Sequence, residues 1–95
     1  MTNTKQTVMD IAMNLNRIGN WIDDDFDSNL EKINTFLANT DSYIKEVTSV
    51  PEKFGTTWSF FLQKYPEFKN DLKNNAENFM TFGNILTHRA SLIES

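Results

Sequence analysis

The sequence predicts an all-α protein, a four-helix antiparallel bundle made of two helical hairpins, with residues 1–95 as a single domain. Two observations predict it. Apolar residues recur at steps of three and four almost throughout, with neither the strict alternation of strands nor an Asn-Gly or Asp-Gly hairpin signal. The rhythm breaks at Gly19-Asn20, at TSVP ending on Pro51 and at Pro66, which leaves four segments joined by short connections. A core is affordable, because 39% of the chain is hydrophobic and 13% aromatic, too rich in aromatic residues for a disordered segment.

The first helix is expected over about 5–18, where Val8, Ile11, Leu15, Ile18 and Ile22 repeat on one face with Ala12 beside them. Gly19 and Asn20 supply the residue types that best tolerate a left-handed C-terminal cap. A second stripe runs through Phe26, Leu30, Ile33, Leu37, Thr40, Ile44 and Val47 and predicts a helix over 22–48. Asn39, Thr40 and Asp41 are weak helix formers, and a break or kink is open there although the register survives. Pro51 restricts Val50 to extended backbone and suits the first turn of a third helix over 51–65. Phe54, Trp58, Phe61, Leu62 and Tyr65 form its inner face, and Pro66 stops or kinks it. Phe68, Leu72, Ala76, Phe79, Gly83, Leu86, Ala90 and Ile93 predict the last helix over 67–93. At 1.5 Å per residue, these helices alternate between roughly 20 Å and about 40 Å in length. Either the long ones bend or some of their surface is left for another chain.

The net charge is -4. The nine Lys and Arg residues are scattered, and without a basic stripe nucleic acid is not expected as a partner. Residues 1–50 carry eight acids and four bases, whereas 51–95 carry five of each. The negative excess therefore lies in the first half, while eight of the twelve aromatic residues lie in the second. With no cysteine, disulfides, thiolate metal sites and a cysteine nucleophile are excluded. MTNTKQTVMDIAMNL holds no continuous apolar segment, so neither a cleavable signal nor a membrane span is expected. The expected location is the cytoplasm.

The stretch WIDDDFDSNLE places Asp23, Asp24, Asp25 and Asp27 around Phe26. A calcium loop begun at Asp23 would find oxygen ligands at Asp25, Asp27, Asn29 and Glu31. It lacks the glycine needed at its sixth position, which is Ser28, and the bidentate glutamate at its twelfth, which is Asn34. Acidic residues at a helix start complement its free N–H groups and its dipole. The cluster therefore reads as helix initiation, with Asn20 as the cap or with Ser28 and Glu31 as a capping box. A weakly held divalent ion or an electrostatic handle for a basic partner remains as the alternative.

His88 is the single histidine and falls opposite the Phe79–Leu86 face, so no histidine metal site or Ser-His-Asp arrangement is indicated. Gly19, Gly55 and Gly83 stand alone and form no phosphate loop; a cap or close helix approach accounts for them. No catalytic, cofactor or metal-binding residues are assigned, and the chain is not expected to be an enzyme. In FGTTWSFFLQKYPEF, an aromatic face could line a ligand pocket, but the helical spacing reads as core. Phe60 stands about 100° or more away from that stripe. Ile85 and Leu92, seven apart, form a second stripe on the last helix, and Phe36 with Tyr43, also seven apart, flank the second helix. A second apolar face marks either a broader buried face, covered within the chain, or a contact with another chain, and the second is the reading favoured here. Phe36, Tyr43, Phe60, Ile85 and Leu92 are accordingly the candidate partner-binding residues, and a homo-oligomer, most simply a dimer, is expected, with a further protein partner as an alternative.

In length, acidity and lack of cysteine the chain is similar to small secreted helical hairpins named for a Trp-x-Gly turn. Here the central turn is TSVPEKFG, and neither Trp21 nor Trp58 is followed two residues later by glycine, so the defining residues of that family are missing. The leading expectation is a small helical interaction or scaffold protein. A secreted hairpin effector and a ligand-binding bundle are the alternatives.

Overall fold

A computed structural model describes residues 3–93. The described residues are all-helical, in three helices: α1 (Thr4–Glu46), α2 (Glu52–Lys69) and α3 (Ala76–Arg89). Short 3-10 turns, Leu72–Asn74 and Ala90–Leu92, precede and follow α3.

α1 cannot be a straight rod. Its 43 residues would span about 65 Å at 1.5 Å per residue, whereas the longest dimension of the molecule is 38 Å. The bend is at Asp25, whose extended backbone (φ -155°, ψ 94°) is the one non-helical conformation within α1. Beyond it the chain returns along itself. Trp21 and Phe36 meet edge to face with ring centroids 4.9 Å apart, the Arg17 guanidinium lies 5.7 Å from the Phe36 ring centre, and Lys32 reaches to 5.3 Å above Trp21. The expectation of a first helix ending near residue 18 is therefore corrected, since Gly19 and Asn20 are helical and the first arm continues to the Asp25 bend. The second arm runs unbroken through Asn39, Thr40 and Asp41. Thr40 is fully buried, and its hydroxyl donates to the Phe36 carbonyl at 2.7 Å, which removes the cost of burying a polar group in the stripe.

Gly19 is buried because α3 lies against it. A Cβ there would stand 2.7 Å from the Ala76 carbonyl oxygen and 3.1 Å from the Met80 amide nitrogen. A Cβ at Gly83 would stand 2.9 Å from the Ala12 carbonyl oxygen and 2.6 Å from Asn16 Nδ2. The two glycines, one on each helix, let the backbones approach antiparallel and closely, and each costs roughly 0.5–1 kcal/mol of helix propensity. Gly55 differs, since a Cβ there would meet nothing within 4 Å.

α2 carries an aromatic ladder, Phe54, Trp58, Phe61, Tyr65 and Phe68, all buried, with successive ring centroids 6.2, 5.4 and 5.3 Å apart up to Tyr65. Phe68 then meets Phe79 and Phe82 of α3 at 5.7 and 5.5 Å. Two corrections follow. Leu62 is 39% exposed rather than part of the inner face, and α2 passes through Pro66 to Lys69. An interior proline costs about 3 kcal/mol. Continuing the helix buries Phe68, worth about 1.5–3 kcal/mol, with each ring contact adding about 0.5–1.5 kcal/mol, enough to offset it.

The last helix starts nine positions later than its spacing predicts. In Asn70–Asn75, side chains bond locally: Asn74 Nδ2 donates to both Asp71 carboxylate oxygens at 3.1 Å, and Asn75 Nδ2 donates to the Asp71 carbonyl at 2.7 Å. Such bonds compete with the helical ladder. The helix ends at Arg89 rather than at Ile93, although Ala90 and Ile93 are buried as expected. With the 43 residues of α1 divided at Asp25, its arms and the 18-residue α2 are closer in length than expected, and α3, at 14 residues, is the shortest helix instead of one of the two longest.

The second arm of α1 is clasped to α2 through polar groups. The Tyr65 hydroxyl donates to Asp41 Oδ1 at 2.8 Å. Lys69 Nζ reaches the same oxygen at 3.2 Å and lies 4.7 Å above the Tyr65 ring. Burial of the phenol, then its bond to the Asp41 carboxylate and that group's charge, push the Tyr65 pKa up from its ordinary value of 10.0. Among the described residues no fully buried polar side-chain atom lacks a partner.

Two predictions rest on these contacts. Gly19→Ala and Gly83→Ala should each destabilise the fold by about 1–3 kcal/mol, because backbone must move to admit the methyl group, whereas Gly55→Ala should raise stability by up to about 1 kcal/mol; thermal unfolding by circular dichroism separates them. The proton on Tyr65 stabilises the fold fully below pH 10, and that contribution is lost as the pH climbs toward the raised folded-state value. Wild type should therefore weaken more steeply above pH 10 than Tyr65→Phe, measured by denaturant unfolding at each pH, and an equal slope in the two proteins would disprove the role of the phenol.

Candidate functional site

The aspartate cluster resolves into a helix start, but with a cap different from those expected. Asp25 itself is the cap of the second arm: its Oδ1 accepts from the Ser28 amide at 3.2 Å and its Oδ2 from the Ser28 hydroxyl at 2.9 Å. Neither Asn20 nor Ser28 caps it. These bonds hold the Asp25 carboxyl below its ordinary pKa. Asp23 and Asp24 end the first arm, where negative charge opposes the dipole, and Asp27 opens the second, where it is favoured. The cluster thus helps to set where the helix breaks. Across the bend, buried Asn29 donates from Nδ2 to the Trp21 carbonyl at 3.1 Å, a side-chain bond that ties the start of the second arm to the end of the first. Asn29 takes the inward position, and Leu30, assigned to the core stripe by its spacing, is 38% exposed. Among the described residues no group of three His, Asp or Glu side chains is placed to hold a metal ion. His88 is exposed in the last turn of α3.

The five candidate partner-binding residues separate into three places. Phe36 and Tyr43 are half-buried on the second arm of α1, packed against the core, with Phe36 engaged by Trp21 and Arg17. Leu92 lies in the 3-10 turn after α3, beside Pro51 and Glu52. It does not extend a helical stripe from Ile85, because the helix has ended. Phe60 and Ile85 come together across a groove between α2 and α3, and Phe60, at 50%, is the most exposed large apolar residue described.

The groove follows from what separates the helices. α1 and α3 meet through glycine, but α2 and α3 are held apart by phenylalanine rings: Phe82 stands 5.5 Å from Phe60, 5.9 Å from Phe61 and 5.5 Å from Phe68. The outer side of that wedge stays open as two adjoining hollows that share Phe60, Phe82 and Ile85, one of about 600 Å³ and one of about 440 Å³. These three residues form the middle of the groove. Lys53 and Arg89 stand at one end, and Glu67 and Asp71 at the other. Lys64 lies 3.8 Å from Glu67 and 5.9 Å above the Phe60 ring. Phe82, one step before Gly83 on the inner face of α3, was not singled out by the sequence reading, although its spacing of three from Phe79 gave the signal.

Comparison with known proteins returns no match: no family model, no curated protein and no solved structure is similar to this chain. Among the described residues no helix is long and apolar enough to cross a membrane.

The cap at Asp25 predicts an acid limb. A carboxylate with a lowered folded-state pKa contributes stability above its ordinary value of 3.8 and loses it as the pH falls through the folded value. Asp25→Asn retains an acceptor for Ser28 but does not titrate. Its stability should decline less than that of wild type below pH 3.8, followed by denaturant midpoints.

Proposed function

We propose that this protein is a non-enzymatic helical interaction module, an antiparallel four-helix bundle that associates with a second copy of itself through the groove between α2 and α3. The exposed Phe60, standing over Phe82 and Ile85, is the observation that carries this reading. A bundle helix needs one apolar face, and α2 already buries five aromatic residues on its own. A ring left half in water beside an apolar groove has the character of an interface anchor, since aromatic residues in pockets dominate association energies. The cytoplasm is the proposed location, in keeping with the cysteine-free composition.

The groove also favours a second reading, a ligand-binding bundle, because its larger hollow, of about 600 Å³, falls in the range of small-molecule sites. Native mass spectrometry of protein purified from its host distinguishes the two, by the mass of a second chain or of a bound small molecule.

Sedimentation velocity over concentrations up to roughly 100 µM should show reversible self-association of the wild type. Phe60→Asp, at an exposed position, should weaken it by at least about 2 kcal/mol while leaving the helical circular dichroism spectrum unchanged. A clean monomer throughout that range would remove the self-association reading.

A further inference from the structure

We propose that the two copies pair about a two-fold axis passing near Phe60, with α2 antiparallel to the partner's α2 and the basic end of each groove lying on the acidic end of the other. This inference rests on the self-association reading above and specifies its register.

A two-fold interface uses the same patch twice, so the patch must be complementary to itself after a half-turn rotation. The groove meets that condition. Lys53, Phe60 and Glu67 are spaced by seven and seven on α2, which places them in one row along the helix, an apolar residue flanked at about 10 Å on either side by opposite charges. The neighbouring charges extend the polarity. Arg89, at the end of α3, stands beside Lys53, and Asp71, two residues beyond α2, lies on the Glu67 side. There Lys64 is paired with Glu67 at 3.8 Å, which leaves the Asp71 carboxylate as the excess charge. Rotating one copy about Phe60 puts Lys53 and Arg89 opposite Glu67 and Asp71 at both ends at once. Aligning the two copies of α2 in the same direction would instead set like charges together, which disfavours that pairing. Among the described residues Lys53 and Arg89 enter no ion pair within the chain, so both are free to serve another. Gly55 fits the same arrangement. It lies on the Phe60 side of α2 with Thr56 and Ser59, and nothing inside the chain approaches it, so the space in front of it is open to a second helix.

Two charge-reversed proteins test the register, Lys53→Glu with Arg89→Glu, and Glu67→Lys with Asp71→Lys. All four positions are exposed, and circular dichroism checks that each protein remains folded. Each alone presents like charges at both ends and should self-associate at least about tenfold more weakly than wild type. An equimolar mixture should recover association as a heterodimer, resolved by its intermediate mass in native mass spectrometry, and Phe60→Asp introduced into both chains should abolish it. Self-association of either variant at wild-type strength, or a heterodimer that survives Phe60→Asp, would overturn the register while leaving self-association itself to stand. A monomeric wild type would overturn both.

Discussion

The close approach of the first arm of α1 to α3 is the constraint from which the remaining architecture follows. Gly19 sits under Ala76 and Met80, and Gly83 sits under Ala12 and Asn16, so two backbones lie as near as side chains permit. With that pair closed, the bulk of the core has to come from elsewhere, and α2 supplies it as a ladder of rings. Rings need room. The same chain therefore contains one helix pair drawn together by the absence of side chains and another propped apart by large ones, and the groove is the outer edge of the second. A small protein has little stability to spare, on the order of 5–15 kcal/mol, and several of its contacts are individually expensive. Pro66 inside α2 and the two buried glycines are tolerated because each brings apolar surface into contact that would otherwise stay in water.

How much of this was legible in the sequence depends on the range of the interaction. The apolar rhythm of α1 marks Val8, Ile11, Leu15, Ile18, Ile22, Ile33, Leu37 and Thr40, which are buried, and also Phe26, Ile44 and Val47, which are only partly so, and Leu30, which is exposed. Phe60 was identifiable as off the main face of α2 from its angle alone. The bend was misplaced because glycine has two uses, as a left-handed cap and as a site of close approach, and local sequence does not distinguish them. Gly19 serves the second, which only the position of Ala76 and Met80 reveals. The helix through Pro66 and the break at Asn70–Asn75 fail in opposite senses, since a strong local breaker was overridden by the burial of Phe68 while a run of weak ones, supported by their own side-chain bonds, prevailed over the spacing of Leu72. The Asp41–Tyr65 bond joins residues 24 apart and has no local signature.

The candidate site has the same division. Phe60 and Ile85 were marked by sequence, and the fold brings them to one groove with Phe82; Phe36, Tyr43 and Leu92 carried the same kind of signal but stand elsewhere. A seven-residue spacing identifies residues on one line only while the helix lasts, and α3 ends before Leu92. The charges at the groove ends were dispersed in the sequence, and their opposition across Phe60 emerges only when α2 and α3 lie side by side. The four aspartates, prominent in the sequence, lie at the bend of α1, where Asp25 caps the second arm.

The bend at Asp25 occupies a single residue. Most helix–helix connections contain several, and added or lost residues are absorbed in the loop. Here the register of one arm is tied to the other, because each residue inserted or removed turns the following helix by about 100°. One extra residue at the bend would carry Ile33, Leu37 and Thr40 off the core side together. The chain can thus vary in length between α1 and α2 or between α2 and α3, but its first hairpin behaves as a gauge of fixed phase, and descendants of this sequence should preserve the number of residues between Ile22 and Ile33 more strictly than the identity of most of them.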